Sequence, residues 1–200
     1  MSIDQLVALA IAKRWEVLAA VTGIISVYLS TRENIWSWPT ALVNVALYFV
    51  VFYEAKLYAD MGLQAVYFAL SLYGWYEWLY GGENRTELHV SRTSSALGAR
   101  LAVIGIACAA VLGTLLARFT DAALPYIDSA TTSTSLVAQW MMTRKILENW
   151  AVWVAVDVVY IAMFVFKRLY LTAGLYAVFL VLAVMGYVQW KRSLAERGLA

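Results

Sequence analysis

An all-α polytopic membrane protein of about seven transmembrane helices, arranged as two parallel three-helix repeats joined by one helix, is what this sequence predicts. Three observations carry that expectation. The composition is too apolar for a soluble domain, the apolar runs are long enough to cross a bilayer as helices, and the chain resembles itself at one fixed offset of 112 residues.

Hydrophobic residues make up 63% of the chain and charged residues 14%, with a mean hydropathy of +0.70. A soluble domain carries about 25% charged residues, so the bilayer is the solvent here. Only helices and closed barrels satisfy every backbone group in lipid, and the apolar runs exceed the roughly 10-residue alternating segments of a barrel strand. A net charge of +2, with basic residues at helix ends rather than in one patch, argues against nucleic acid as a partner; membrane lipid is the expected surrounding.

At about 20 apolar residues per crossing, the expected spans are 15–30, 36–53, 61–80, 97–119, 127–142, 147–166 and 169–190. Residues 15–80 form the first repeat, 81–119 a polar loop and linker helix, 120–190 the second repeat, and 191–200 a basic tail of the same single membrane domain. The first apolar run follows Lys13 and Arg14 and is not closed by a small-residue cleavage site, which predicts that it is retained. The lone Cys108 excludes an intramolecular disulfide and reads as structural.

The repeat rests on residues that composition does not readily duplicate. The offset pairs Trp38 with Trp150, Tyr48 with Tyr160, Phe52 with Phe164, Leu57 with Leu169, Gly62 with Gly174, Gly74 with Gly186 and Trp78 with Trp190, and also Thr31 with Thr143 and Arg32 with Arg144. One helix between the triplets makes them parallel, related by an axis along the membrane normal. Transporters built that way place substrate at the repeat interface near the midplane.

Sidedness follows from the loops. Lys13, Arg14, Lys56, Arg118, Lys167 and Arg168 fall on one side; Arg32, Arg85, Arg92, Arg100, Arg144, Lys145, Lys191, Arg192 and Arg197 fall on the other. Six against nine predicts a cytoplasmic C-terminus.

Chemistry concentrates in the sixth span. At 100° per residue Trp150, Trp153, Asp157, Tyr160 and Phe164 share a face roughly 80° wide. A carboxylate near the bilayer centre costs at least about 2.5–3.5 kcal/mol and generally faces a bundle interior or watery cavity. Asp157 therefore reads either as a packing residue hydrogen-bonded to a neighbouring Ser, Thr or Trp, or as part of a substrate site. The aromatic stripe favours the site, because ring faces attract cations and the carboxylate supplies the counter-charge for a flat, positively charged ring. Trp36, Trp38, Trp75, Trp78, Trp150, Trp153 and Trp190 all lie near span ends, where an interfacial belt is the simpler reading. Trp78 and Trp190 are assigned to that belt, while Trp150 and Trp153 are drawn to the site by Asp157.

The fifth span, "IDSATTSTSLVAQWMMTRK", is polar for a crossing, so its face lines a cavity or packs against other helices. Its Gln139 offers both a donor and an acceptor to a carboxamide, a pyrimidine or a ribose. In the first repeat Asn44, Tyr48, Gln64 and Tyr67 are the intramembrane polar candidates. A phosphate-binding GxxxxGK[ST] loop and a zinc-type histidine pair are both absent from the sequence, and its single histidine, His89, falls in the polar loop. The expectation is a non-enzyme without metal or cofactor.

The run from Gln139 to Trp190, with its ENWxxW, LYLTAGLY and GYxxW blocks, resembles the C-terminal signature of the PnuC family of bacterial vitamin transporters; "LYADMGLQAVYFALSLYGWYEW" resembles its N-terminal half. The resemblance implies a SWEET-like three-plus-one-plus-three fold and a homotrimer in the bacterial inner membrane. It implies facilitated diffusion of nicotinamide riboside, trapped by phosphorylation inside the cell. It also carries the family's substrate site onto Trp150, Trp153 and Asp157. Thiamine is the alternative substrate, since both vitamins present a cationic aromatic ring, whereas Asp157 disfavours the neutral ring of riboflavin. A ligand-binding membrane protein without transport is the alternative from another class.

Overall fold

The structure, a computed structural model, describes residues 14–54, 58–120 and 124–198. Lys13, Lys56 and Leu57, used above for sidedness and for the repeat, lie outside the described residues.

Seven α-helices organise the described residues: α1 (Arg14–Thr31), α2 (Ser37–Glu54), α3 (Tyr58–Tyr80), α4 (Ser95–Phe119), α5 (Pro125–Thr143), α6 (Asn149–Phe166) and α7 (Tyr170–Glu196). They coincide with the seven expected segments. The largest departure is at α7, whose amphipathic end carries the helix beyond Trp190. Local chemistry sets several boundaries: Pro125 begins α5, where its missing N–H costs nothing, and the Ser94 side chain caps α4 by accepting from the Leu97 N–H at 3.2 Å. By length and composition, α4, α6 and α7 are able to cross a membrane. The Ser/Thr-rich α5 lacks that apolarity, and its hydroxyls turn inward. Ser129, Thr131 and Ser135 each donate to the carbonyl four residues earlier, at 2.7–2.9 Å.

Consecutive helices pack as α1 on α2, α2 on α3, α4 on α5, α5 on α6 and α6 on α7; the other main contacts are α1 on α7 and α3 on α5. The α1–α2 and α5–α6 turns match bond for bond. Asn34 N–H donates to Leu29 O and Ile146 N–H to Met141 O, both at 3.0 Å, and Trp38 N–H donates to Ile35 O and Trp150 N–H to Leu147 O, both at 3.2 Å. Each turn has one left-handed residue, Glu33 (φ 53°) and Lys145 (φ 47°).

The centre of this end is a tryptophan core, which corrects the assignment of Trp78 and Trp190 to an interfacial belt: they are 2% and 0% exposed. Trp38 meets Trp78 edge-on at 5.3 Å and 89°, Trp150 meets Trp190 at 5.3 Å and 84°, and Trp78 and Trp190 close the group at 5.9 Å. Gly74 and Gly186 allow this, since a methyl group at either would overlap the indole of Trp38 or Trp150. The indole N–H of Trp78 donates to Met142 O at 3.1 Å, and that of Trp190 to Ser30 O at 3.0 Å. Hydropathy placed these residues near span ends correctly, but it had no means of distinguishing a lipid-facing tryptophan from one received by a glycine.

The polar loop is packed against this same end. Ser91 bridges the α5–α6 turn, its N–H donating to Lys145 O and its carbonyl accepting from Leu147 N–H, both at 2.9 Å. Val90 is buried among the tryptophans, and the Thr93 N–H donates to the Glu148 carboxylate at 2.9 Å.

Candidate functional site

Next to the tryptophan core, along α6, lies a cluster of aromatic rings that holds the carboxylate of Asp157. Asp157 is 3% exposed, and it forms neither a hydrogen bond nor an ion pair among the described residues. The expected helical face is real: Trp150 and Asp157 are buried, Trp153 and Tyr160 are half-buried, and Tyr160 stacks on Phe164 at 5.8 Å. A neighbouring Ser, Thr or Trp does not satisfy the carboxylate, so the packing reading has no hydrogen bond to stand on. Leaving such a group buried is expensive, and a cationic ligand would relieve that expense.

Tyrosines of α2, α3 and α7 are its wider electrostatic surroundings. Tyr67 of α3 has Tyr160 of α6 and Ser135 of α5 as electrostatic neighbours. Tyr176 of α7 packs on Tyr160 at 4.8 Å and on Phe164 at 5.2 Å, and it has Tyr160, Tyr48, Tyr67 and Asp157 as electrostatic neighbours. Tyr48 stacks on Phe52 at 5.7 Å, repeating the Tyr160–Phe164 pair. Tyr176 escaped the sequence reading because a tyrosine in an apolar run carries no signal of its own; its placement beside Asp157 is a tertiary fact.

The other expected residues differ in placement. The Asn44 amide donates to Ala19 O of α1 at 2.5 Å, and Asn44 and the Phe179 ring both flank Gly23, putting Asn44 at the cluster's edge. Gln64 and Gln139 are half-buried. Trp153 packs against the tryptophan core, one turn from Trp150 and one from Asp157. Trp150 is 1% exposed, held by Gly186 and Trp190, and its indole N–H has no partner among the described residues; the N–H of Trp38 is in the same condition. The two surface grooves at Ala99–Ile104 and between α5 and α6 beside Met163 do not include Asp157.

Charge seals the end beyond the tryptophans. Lys145 Nζ lies 3.4 Å from the Glu33 carboxylate and 4.5 Å above the Trp78 ring. Burial pushes the Lys145 pKa down, opposed first by the Glu33 charge. Arg144 reaches Glu77 of α3 at 2.6 Å, and Arg197 approaches Glu33 at 3.9 Å.

Comparison with known proteins agrees with this picture. The family model described as nicotinamide mononucleotide transporter matches residues 13–192. The nicotinamide riboside transporter PnuC of Escherichia coli K12 is 27% identical, covering 92% of this chain and 87% of its own length. PnuC of Neisseria mucosa is 31% identical over 88% of this chain and 71% of its own. The riboflavin/roseoflavin transporter RibM of Streptomyces davaonensis is 26% identical over 88% and 83%. A crystal structure of the vitamin B3 transporter PnuC shares the fold, with a TM-score of 0.74 and 24% identity over 95% of this chain and 87% of that one. With a family match over nearly its whole length, and with its apolar helices, the chain belongs to the PnuC family of multi-pass membrane transporters.

Proposed function

We propose that the protein moves nicotinamide riboside across the bacterial inner membrane by facilitated diffusion, with intracellular phosphorylation trapping the vitamin. The observation that carries this reading is Asp157: a buried carboxylate without a hydrogen bond or ion pair among the described residues, set beside the aromatic rings of Tyr160, Phe164 and Tyr176. The pyridinium ring of the riboside supplies the missing positive charge, and ring faces add cation–π attraction. Two relatives that bear the name nicotinamide riboside transporter support the substrate. RibM supports a family able to change vitamin, but a neutral flavin would leave Asp157 uncompensated.

In this reading the seven helices all span the membrane as a three-plus-one-plus-three arrangement, and the protein is a homotrimer. The matched turns, the mirrored tryptophan pairs and the contacts α1–α7 and α3–α5, which exchange under the 112-residue offset, support the two-half architecture. Alternating access then consists of one half rocking against the other around a shared site. Trp153, Asp157, Tyr160, Tyr48 and Tyr67 would contact the vitamin; Asn44, Gln64 and Gln139 would serve its carboxamide or ribose; Trp150 would support Trp153 from one turn below.

Uptake of labelled nicotinamide riboside into energy-free proteoliposomes tests the proposal. Flux should saturate, ignore imposed proton and sodium gradients, and fall to background in Asp157→Ala and Trp153→Ala. Flux that follows a proton gradient would make Asp157 a proton carrier. Competition by thiamine but not by nicotinamide riboside would reassign the substrate, and tight binding without flux would leave a receptor.

A further inference from the structure

The two halves share their framework and differ at the aromatic cluster. Under the offset, Trp38 and Trp150, Gly74 and Gly186, Trp78 and Trp190, and Tyr48 and Tyr160 coincide, whereas Asp157 is matched by Val45, Trp153 by Ala41, and Tyr176 by Gln64. The residues that keep the bundle together are duplicated, as are Tyr160 and Phe164, whereas Asp157, Trp153 and Tyr176 are not. Among the unduplicated ones, Tyr176 is the aromatic that packs on Tyr160 and Phe164 of α6. Its ring touches Tyr160, Phe164 and, at 5.8 Å edge-on, Phe179, and Tyr48, Tyr67 and Asp157 are its electrostatic neighbours.

We infer that Tyr176 is a specificity-determining residue: its ring packs on Tyr160 and Phe164, on the face of α6 that carries Asp157, and closes an aromatic cage beside that carboxylate. The cage selects a ligand ring that carries a fixed positive charge over a neutral ring of the same shape. A cage of ring faces attracts a delocalised cation and gives a neutral ring only stacking, and Asp157 adds a counter-ion in a site poor in water. Tyr176 acts through its face, so its hydroxyl is dispensable. The inference rests on the substrate reading above and adds the residue that enforces it.

The test compares binding of nicotinamide riboside with that of its reduced, uncharged dihydropyridine form, which has the same sugar and nearly the same size, by calorimetry on purified full-length protein. The wild type should prefer the cation by about tenfold or more, equivalent to about 1.4 kcal/mol. Tyr176→Phe should keep that ratio within about twofold, and Tyr176→Gln, which installs the residue the other half carries, should lower it about five- to tenfold through the cation alone. If Tyr176→Gln does not accumulate, Tyr176→Leu is read the same way. An unchanged ratio in the variant without an aromatic ring, or a loss in Tyr176→Phe as large as in Tyr176→Gln, overturns the inference while leaving the transporter reading intact. A wild type that binds neither form sinks the substrate reading and this inference together.

Discussion

Glu33 and Lys145 are 112 residues apart, occupy the same left-handed position in the α1–α2 and α5–α6 turns, and meet each other at 3.4 Å. In the proposed two-half architecture, equivalent positions approach closely only near the axis that relates the halves. A duplicated residue there would face its own copy, and two like charges would repel. Here the pair has diverged to opposite signs, which turns that meeting point into a clasp between the halves. Lys145 is 7% exposed and Glu33 17%, so neither charge is bathed in water. Reversing one sign leaves like charges half-buried, at a loss of about 3–5 kcal/mol. In a cycle of Glu33→Lys, Lys145→Glu and the double reversal, each single variant should lower the unfolding midpoint in detergent, and the double variant should recover most of the loss. The Arg197 contact at 3.9 Å keeps the recovery incomplete, because Glu33→Lys sets a second positive charge beside that guanidinium.

The same clasp gives a pH dependence of definite sign. The unfolded chain holds the Lys145 proton at the ordinary 10.5, while burial lowers that value in the folded protein despite Glu33. Between the lowered value and 10.5 the unfolded state binds more protons, so stability rises with pH in that window. Below it both states are protonated and Lys145 contributes no slope. Thermal midpoints of the wild type and Lys145→Met, followed on the alkaline side, should converge on this account: the wild type gains relative to the variant as the pH approaches 10.5. A difference that stays flat or widens in favour of the variant would contradict it.

Helix number, order and approximate bounds were legible because long apolar runs broken by polar turns leave little freedom in lipid. Tryptophan and glycine recur at one offset in the sequence, and the α1–α2 and α5–α6 turns share their hydrogen bonds. What the pattern did not reveal was which tryptophans are framework. Trp78 and Trp190 sit where a belt residue would sit, and only the absence of side chains at Gly74 and Gly186, seen in three dimensions, makes room for their partners. The candidate site divides in the same way. Helical phasing brought Trp150, Trp153, Asp157 and Tyr160 to one face within α6, which is local geometry. Tyr176 entered only when α7 was packed beside them, and the hydrogen bond of Asn44 to α1 is equally a matter of packing.

The tryptophan framework predicts matching losses in the two halves. Trp38→Ala and Trp150→Ala each remove an indole wedged against a glycine, and each should lower stability by about 3–5 kcal/mol. Gly74→Ala and Gly186→Ala push a methyl group into a rigid indole and should cost about 1–3 kcal/mol or more. Paired with Trp150→Phe, Gly186→Ala should recover part of its loss, because the smaller ring vacates the space; a double-variant cycle on the denaturation midpoint measures this coupling. The comparison also separates framework from site. Trp38 and Trp150 should behave alike in stability, while Trp153→Ala, matched by an alanine in the other half, should lose substrate binding with little loss of fold.

Asp157 should show the opposite balance. Because no group among the described residues compensates its buried carboxylate, the ligand-free protein bears the expense of desolvation, and removing the charge relieves it. Asp157→Asn keeps the shape of the side chain and should raise the ligand-free melting midpoint, or at least not lower it. A cationic vitamin would lose its counter-ion in the same variant, so affinity should fall by about ten- to a hundredfold, in line with the loss of a charged partner in a buried site. The ligand-induced rise of the midpoint, which follows free-ligand concentration over Kd, should shrink accordingly. Thermal unfolding with and without nicotinamide riboside reads both effects in one series. A variant that is less stable without ligand would mean that Asp157 is a structural residue with a partner, and one that is more stable but binds as well as the wild type would remove the carboxylate from the recognition of charge.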